Sequence, residues 1–343
     1  MCTRHVILLT YGEPPRADLI AQLRYSWRIL LGLTRSVADI PAPLLPVIAL
    51  MRAATRATTW TRERFGSPLE PLTHEQAAAL QRALVTLAPG TDWRVHVAYE
   101  FRDPLLADCF GALPGDEPVD IVPAYVADSA FTHQLARDTL ARWLSRSCGR
   151  PAPISVLPPL PAEDLAELSA RHLMEALGAR GVRGGPDHAL ILAAHGTLLA
   201  PPKAYETGRI ATEAIAAGIA RRVGHAFGRV ELGWLNHVYG GRWTEPAAHE
   251  ALASVCAAGF KKAVYFPFGF LADNAESLLE GRQVLRTQPG LEAVHVPCLN
   301  AERALIDALA RQIAASGERE RLSRCAGRAP VELTVQRHPP GPL

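Results

Sequence analysis

A histidine closes one short apolar run of this chain. Ala189-Leu-Ile-Leu-Ala-Ala-His195 stops abruptly at Gly196-Thr197. Imidazole titrates near neutrality, so a histidine placed there is suited to accept a proton. A second apolar run, Ala263 to Phe270, leads into Asp273-Asn274-Ala275-Glu276, with Glu280 four residues further on. On a helix that spacing projects both carboxylates from one face, as a short acidic track. Imidazole and carboxylate together also suit borderline metals. Each residue also has a plain structural reading. His195 caps a sheet, Glu276 sits at a helix N-terminus favoured by the macrodipole, and Glu280 lies on a solvated helix face.

The elements that must position these groups are legible as a pattern. The run before His195 has the length of a strand buried on both faces, as in a parallel sheet covered by helices. In open α/β sheets chemistry gathers beyond the carboxyl ends of such strands. If the two runs share a sheet, His195 and Glu276 face one cleft. Further strands are expected at 5–10, 93–98, 119–125, 154–157, 229–234 and 293–296, with helical spacing between them. Thr73 and Gln76 are spaced as a capping box opening a helix. Residues 40–51 read as apolar and proline-broken, and 52–64 as a basic helical approach carrying Arg52, Arg56, Arg62 and Arg64. This βαβα alternation predicts α/β architecture, and the second half repeats the plan of the first, each half a parallel sheet with helices. Pro158-Pro159-Leu160-Pro161 marks the boundary, giving residues 1–160, 161–318 and an irregular tail, 319–343. A cleft between the halves is the place for a small ligand.

Composition narrows the class. The 343 residues are 48% apolar and 20% charged with net charge +2, a globular composition that gives no sign of nucleic-acid binding. The six cysteines form no CxxC pair, which argues against a disulfide framework or a zinc motif. The first ten residues are too short an apolar run for a signal peptide, and residues 29–51 carry charges and prolines that a spanning helix does not tolerate. A cytoplasmic protein is expected.

Several separated motifs resemble those of ferrochelatases, the class II chelatases that insert ferrous iron into a porphyrin. They are Leu9-Thr-Tyr-Gly-Glu-Pro14, Gly66-Ser-Pro-Leu69 with Thr73 and Gln76, Tyr99-Glu-Phe-Arg-Asp-Pro104, and Pro123-Ala-Tyr125 with Ser129. Ala194-His-Gly196, Trp243-Thr-Glu-Pro246, Phe270 to Leu278 and Pro297-Cys-Leu-Asn300 complete an ordered set across residues 5–315. The resemblance implies two Rossmann-like, chelatase-type halves with a porphyrin held in the cleft between them, His195 as the active-site histidine and Glu276 as its partner. It implies Tyr11 on the opposite porphyrin face, Ser67 in a loop that meets a propionate, and Ser129 in the porphyrin-binding set. Iron enters as substrate, with His195, Glu276 and Glu280 as its contacts. Asn274, Glu100 and Ala193 stand where the family commonly has histidine, arginine and serine.

Three readings of function follow. The first is a ferrochelatase of haem synthesis acting on coproporphyrin III or protoporphyrin IX. The second is a non-catalytic tetrapyrrole or haem binder, motivated by Glu100 and Asn274. The third is a chelatase for another tetrapyrrole, such as a sirohydrochlorin or cobalt substrate. No permanently bound cofactor is expected. An iron–sulfur cluster, which some relatives carry, is not expected either, because only Cys298 and Cys325 lie toward the C-terminus. Residues 43–51 line the porphyrin mouth, touch a membrane surface, or pack in the core. His237 is a weaker loop candidate, and Trp243 and Pro246 read as structural.

Overall fold

A computed structural model describes residues 2–36, 40–146, 153–200, 205–236 and 241–325. Two four-stranded sheets organise the chain. The first contains β1 (Cys2–Thr10), β2 (Thr91–Tyr99), β3 (Val119–Pro123) and β4 (Ile154–Val156) in the order β2-β1-β3-β4. The second contains β5 (Gly185–His195), β6 (Phe227–Leu235), β7 (Lys262–Phe266) and β8 (Glu292–His295) in the same relative order, β6-β5-β7-β8. Every pairing is parallel. The strand order reverses direction beside β1 and beside β5, so each half has its own switch point at the end of its first strand.

Side-chain alternation shows how the layers stack. Val6 and Leu8 of β1 share one core with Leu190, Leu192 and Ala194 of β5, together with residues of four helices. These are α3 (Leu69–Leu87), α6 (Ala162–Ala179), α7 (Arg209–Val223) and α10 (Arg303–Cys325). The opposite faces pack outward. Ile7 and Leu9 meet α4 (Leu106–Ala112) and α5 (His133–Leu144), while Ala189, Ile191 and Ala193 meet α8 (Ala248–Ala257). Both sheets are therefore covered on both faces, which is why their strands read as continuous apolar runs.

Four local readings are corrected. Residues 45–62 form one helix, α2 (Leu45–Arg62), preceded by a short 3-10 turn at 42–44. Pro46 lies in its first turn, where the missing N–H costs nothing, so proline starts this helix rather than breaking it. Helix α3 begins at Leu69, four residues before the expected capping box. The Thr73 hydroxyl donates back to Leu69 O at 2.7 Å, and Gln76 is buried. The helix expected after Asn274 opens as a π-helical turn, Ala275–Glu280, and continues as α9 (Gly281–Arg286). Helix α10 runs on to Cys325, into the segment expected to be irregular. One more helix, α1 (Leu19–Ser36), packs against α2.

Candidate active site between the two sheets

His195 is the last residue of β5. Its strand is buried from Ala189 to Ala194, and the side chain is then 51% exposed. Gly196 N–H donates to Leu235 O at 2.8 Å, and Thr197 is bonded in both directions to Thr244, whose hydroxyl accepts from Thr197 N–H at 3.1 Å. The loop carrying Trp243 and Pro246 thus braces the turn after His195: residue 243 bridges Leu198, and Pro246 O accepts from Trp234 N–H. Gly269 brings the chain after β7 against β5, because a Cβ there would lie 2.6 Å from Ala194 Cα.

Glu276 reaches His195 from the π-helical turn, its Oε1 2.7 Å from Nδ1. An ionised carboxylate only accepts hydrogen bonds, so beside one Nδ1 is the donor, and in the neutral ring Nε2 is left with its lone pair. Among the described residues none hydrogen-bonds Nε2. Burial pulls the imidazole pKa down, but the Glu276 charge and hydrogen bond, with Glu280 behind them, outweigh it and leave it above its ordinary value. Asn274 holds the turn that carries Glu276. Its Oδ1 accepts from Glu276 N–H at 2.8 Å and Ser277 N–H at 3.1 Å. Asp273 is tied to Asn300 by two bonds of 2.8 and 2.9 Å.

Glu280 is half-buried and faces the same charges. Burial first, then the Glu276 carboxylate, push it up to about 8, against the opposing pull of His195, Arg56 and the Asn236 backbone. The solvated-face reading therefore does not describe this residue. Nor do His195, Glu276 and Glu280 make a closed metal cage: among the described residues no group of three or more such side chains is arranged to hold an ion.

Tyr11 stands on the first half's side. It packs against Tyr25, Phe101 and Leu135, and burial, with the charges of Glu13 and Glu276, raises its phenol well above the ordinary range. Gly12 follows with φ +65° and no room for a side chain, since a Cβ would lie 2.6 Å from Tyr99. Thr10, Tyr11 and Tyr125 line one wall of a crevice whose other wall is Phe270, Leu271 and Asn274. The crevice has a volume of about 30 Å³, about the size of one water molecule.

Other expected residues are placed differently. Ser67 is buried, and its hydroxyl donates to Glu13. Ser129 shapes the start of α5, its Oγ accepting from Phe131 N–H at 3.2 Å and lying 3.1 Å from the Thr132 hydroxyl. Of the arginines, Arg62 and Arg64 are exposed, whereas Arg56 turns inward to Glu13 and Gln22. Glu100 lines a separate cavity of about 320 Å³ with Arg28, Arg142 and Trp143, and burial pushes its carboxyl up to about 8. His237 lies outside the described residues. Glu13 had no assigned role from sequence, although it stands inside a recognised motif. No spacing rule reports a partner 262 positions away.

Comparison with known proteins bears on this geometry. A model of the ferrochelatase family matches residues 4–316. The chain belongs to the ferrochelatase family. A ferrochelatase of Azoarcus sp. (strain BH72) is 29% identical over 326 residues, covering 90% of this chain and 86% of that protein. A ferrochelatase of Stenotrophomonas maltophilia is 28% identical over 333 residues, covering 91% and 97%. Among solved structures, "SirB from Bacillus subtilis with Fe3+" superposes with a TM-score of 0.53 at 11% identity, covering 95% of this chain and 98% of that one. At that identity the likeness is one of fold alone.

Proposed function

We propose that this protein is a ferrochelatase of haem synthesis, which inserts ferrous iron into a porphyrin and releases two protons. The observation that carries the reading is the 2.7 Å pairing of His195 with Glu276 at the end of β5, in a chain whose family match runs from 4 to 316.

A free-base porphyrin has two inner N–H protons, and a divalent metal must displace both. His195 Nε2 takes a pyrrole proton as general base. Glu276 orients the ring through Nδ1 and stabilises the imidazolium that forms. Glu280, whose carboxyl is pushed up to about 8 and so holds a proton near neutrality, relays each of the two protons in turn by giving its own to solvent as it takes the next from the site. Tyr11 remains a neutral phenol and covers the other face of the macrocycle. Iron is substrate, and the open arrangement of imidazole and carboxylates lets it pass rather than trapping it.

The apolar stretch 43–51 divides on α2. Leu45 and Ala49 are buried, while Leu44, Val47, Leu50 and Met51 are 50–65% exposed. We assign the exposed side to the porphyrin mouth, with peripheral membrane contact as the competing use. No helix of the described residues is long and apolar enough to cross a membrane. The same reading holds the protein to be cytoplasmic and without a resident iron–sulfur cluster, and sulfide-to-iron absorbance bands in purified protein would refute the latter.

The decisive experiment is fluorimetric metal insertion, using zinc as a surrogate and then ferrous iron, with protoporphyrin IX and coproporphyrin III in parallel. Metalloporphyrin formation is expected, and the faster substrate identifies the porphyrin. Quenching without metalloporphyrin would instead indicate the non-catalytic binder.

A further inference from the structure

Glu13 lies three residues beyond the end of β1 and is only 3% exposed. Its Oε1 accepts the Ala275 N–H at 2.8 Å and the Ser67 hydroxyl. Its Oε2 lies 3.3 Å from Arg56 Nη2. Arg56 is itself held by Gln22 Oε1 at 2.9 Å and stacks over Tyr25 and Trp60, with 5.1 and 5.0 Å to the ring centroids. A hydroxyl, a backbone N–H and a guanidinium thus converge on one internal carboxylate. Leaving a carboxylate uncompensated in such a place is very costly. Burial drives its pKa up, against Arg56, Ser67 and Ala275, which all favour the charge.

The position of its acceptor bond matters more than its strength. Ala275 opens the π-helical turn, and the next residue is Glu276. Asn274 caps this turn from within the second half. Glu13 grips it from the first half, on the peptide adjoining the carboxylate that orients His195. Because Asn274 and the packing of Ala275 and Leu279 against Trp60 and Phe65 remain when Glu13 is removed, the turn keeps its helical start and its general place but loses the carboxylate bond that fixes its first peptide.

We propose that Glu13 is a positioning residue for metal insertion: from the first half it holds the turn that sets Glu276 against His195 within the second half. This rests on the ferrochelatase reading above. A misplacement of about 1 Å in a catalytic group costs on the order of 10²-fold in rate, so a loosened Glu276 is a kinetic lesion before it is a structural one.

A double-mutant cycle tests it. Glu13→Ala is expected to lower kcat for zinc insertion by about 10- to 100-fold while porphyrin KM changes less than about twofold. Placed in a Glu276→Ala background, where there is no carboxylate left to position, the same change is expected to cost less than about twofold of the residual rate. Glu13→Gln, which keeps the carbonyl acceptor, is expected to lose less than Glu13→Ala. If Glu13→Ala does not fold by circular dichroism, Glu13→Asp replaces it in the cycle, since it keeps the charge near Arg56 but withdraws it from Ala275. Equal losses in both backgrounds, or wild-type kcat in the folded variant, overturn the proposal. If wild-type protein makes no metalloporphyrin at all, the reading of function fails instead, so the two failures are distinct.

Discussion

His195 and Glu276 are 81 positions apart in the chain and 2.7 Å apart in space. Their chemistry depends on which nitrogen carries the proton, and the carboxylate decides that. Replacing His195 by alanine is expected to abolish insertion while leaving porphyrin affinity, measured by fluorescence quenching, within a few-fold of wild type. Near-normal turnover would reject the assignment. Glu276→Gln gives a signed pH prediction. The carboxylate and Glu280 hold the imidazole pKa above its ordinary value against burial, which lowers it. The free-base imidazole is therefore available only above that raised pKa. Removing the Glu276 charge takes away the first of the two carboxylates that hold the pKa up, so the acid limb of kcat/KM should move to lower pH, along with a loss in kcat. An unmoved acid limb would mean that another group titrates there. Residue types at strand ends marked His195 and Glu276 from sequence. They did not mark Glu13, because a carboxylate beside Gly12 and Pro14 looks like loop punctuation until its partners are in place.

The π-helical turn is the element on which the site depends. Its six residues carry Glu276 at one end and Glu280 at the other, and such turns are often found at functional positions. Asn274 does here what a short polar cap does, accepting two backbone N–H groups with a side chain that stays neutral at every working pH. Asn274→Ala should cost about 1 kcal/mol of stability in denaturant melts, and kcat should fall more than stability alone accounts for. Loss of stability with unchanged kcat would reduce Asn274 to a cap. Element positions were legible wherever apolar periodicity was strong, as in β1 and β5. Element starts were not: Pro46 and the Thr73/Gln76 spacing each have two local meanings, and only packing chooses between them. Gln76 is buried against the other half, so its place is set by Leu271 and Asn300 rather than by its own helix start.

At the scale of the molecule, two sheets of identical order place their switch points toward one another, with four helices forming a shared core between them. Gln76 of α3 ties the halves beside the site, donating to Asn300 O at 2.8 Å and Leu271 O at 3.3 Å. Gln76→Ala strands both carbonyls and should lower unfolding free energy by about 1–3 kcal/mol. A loss below about 0.5 kcal/mol would mean that water or relaxation satisfies them, as at an ordinary surface position. The amino-acid sequence alone determined the α/β class, the strands and most of the helices between them, the ferrochelatase likeness and the place of His195 at the end of a buried strand. Those properties live in local periodicity and in motifs a few residues long. Only the tertiary structure decided that Ser67 and Arg56 belong to Glu13, that Glu280 is half-buried among charges, and that Glu276 is held from both halves. Such facts depend on contacts between residues far apart in the chain, where burial and charge act through space.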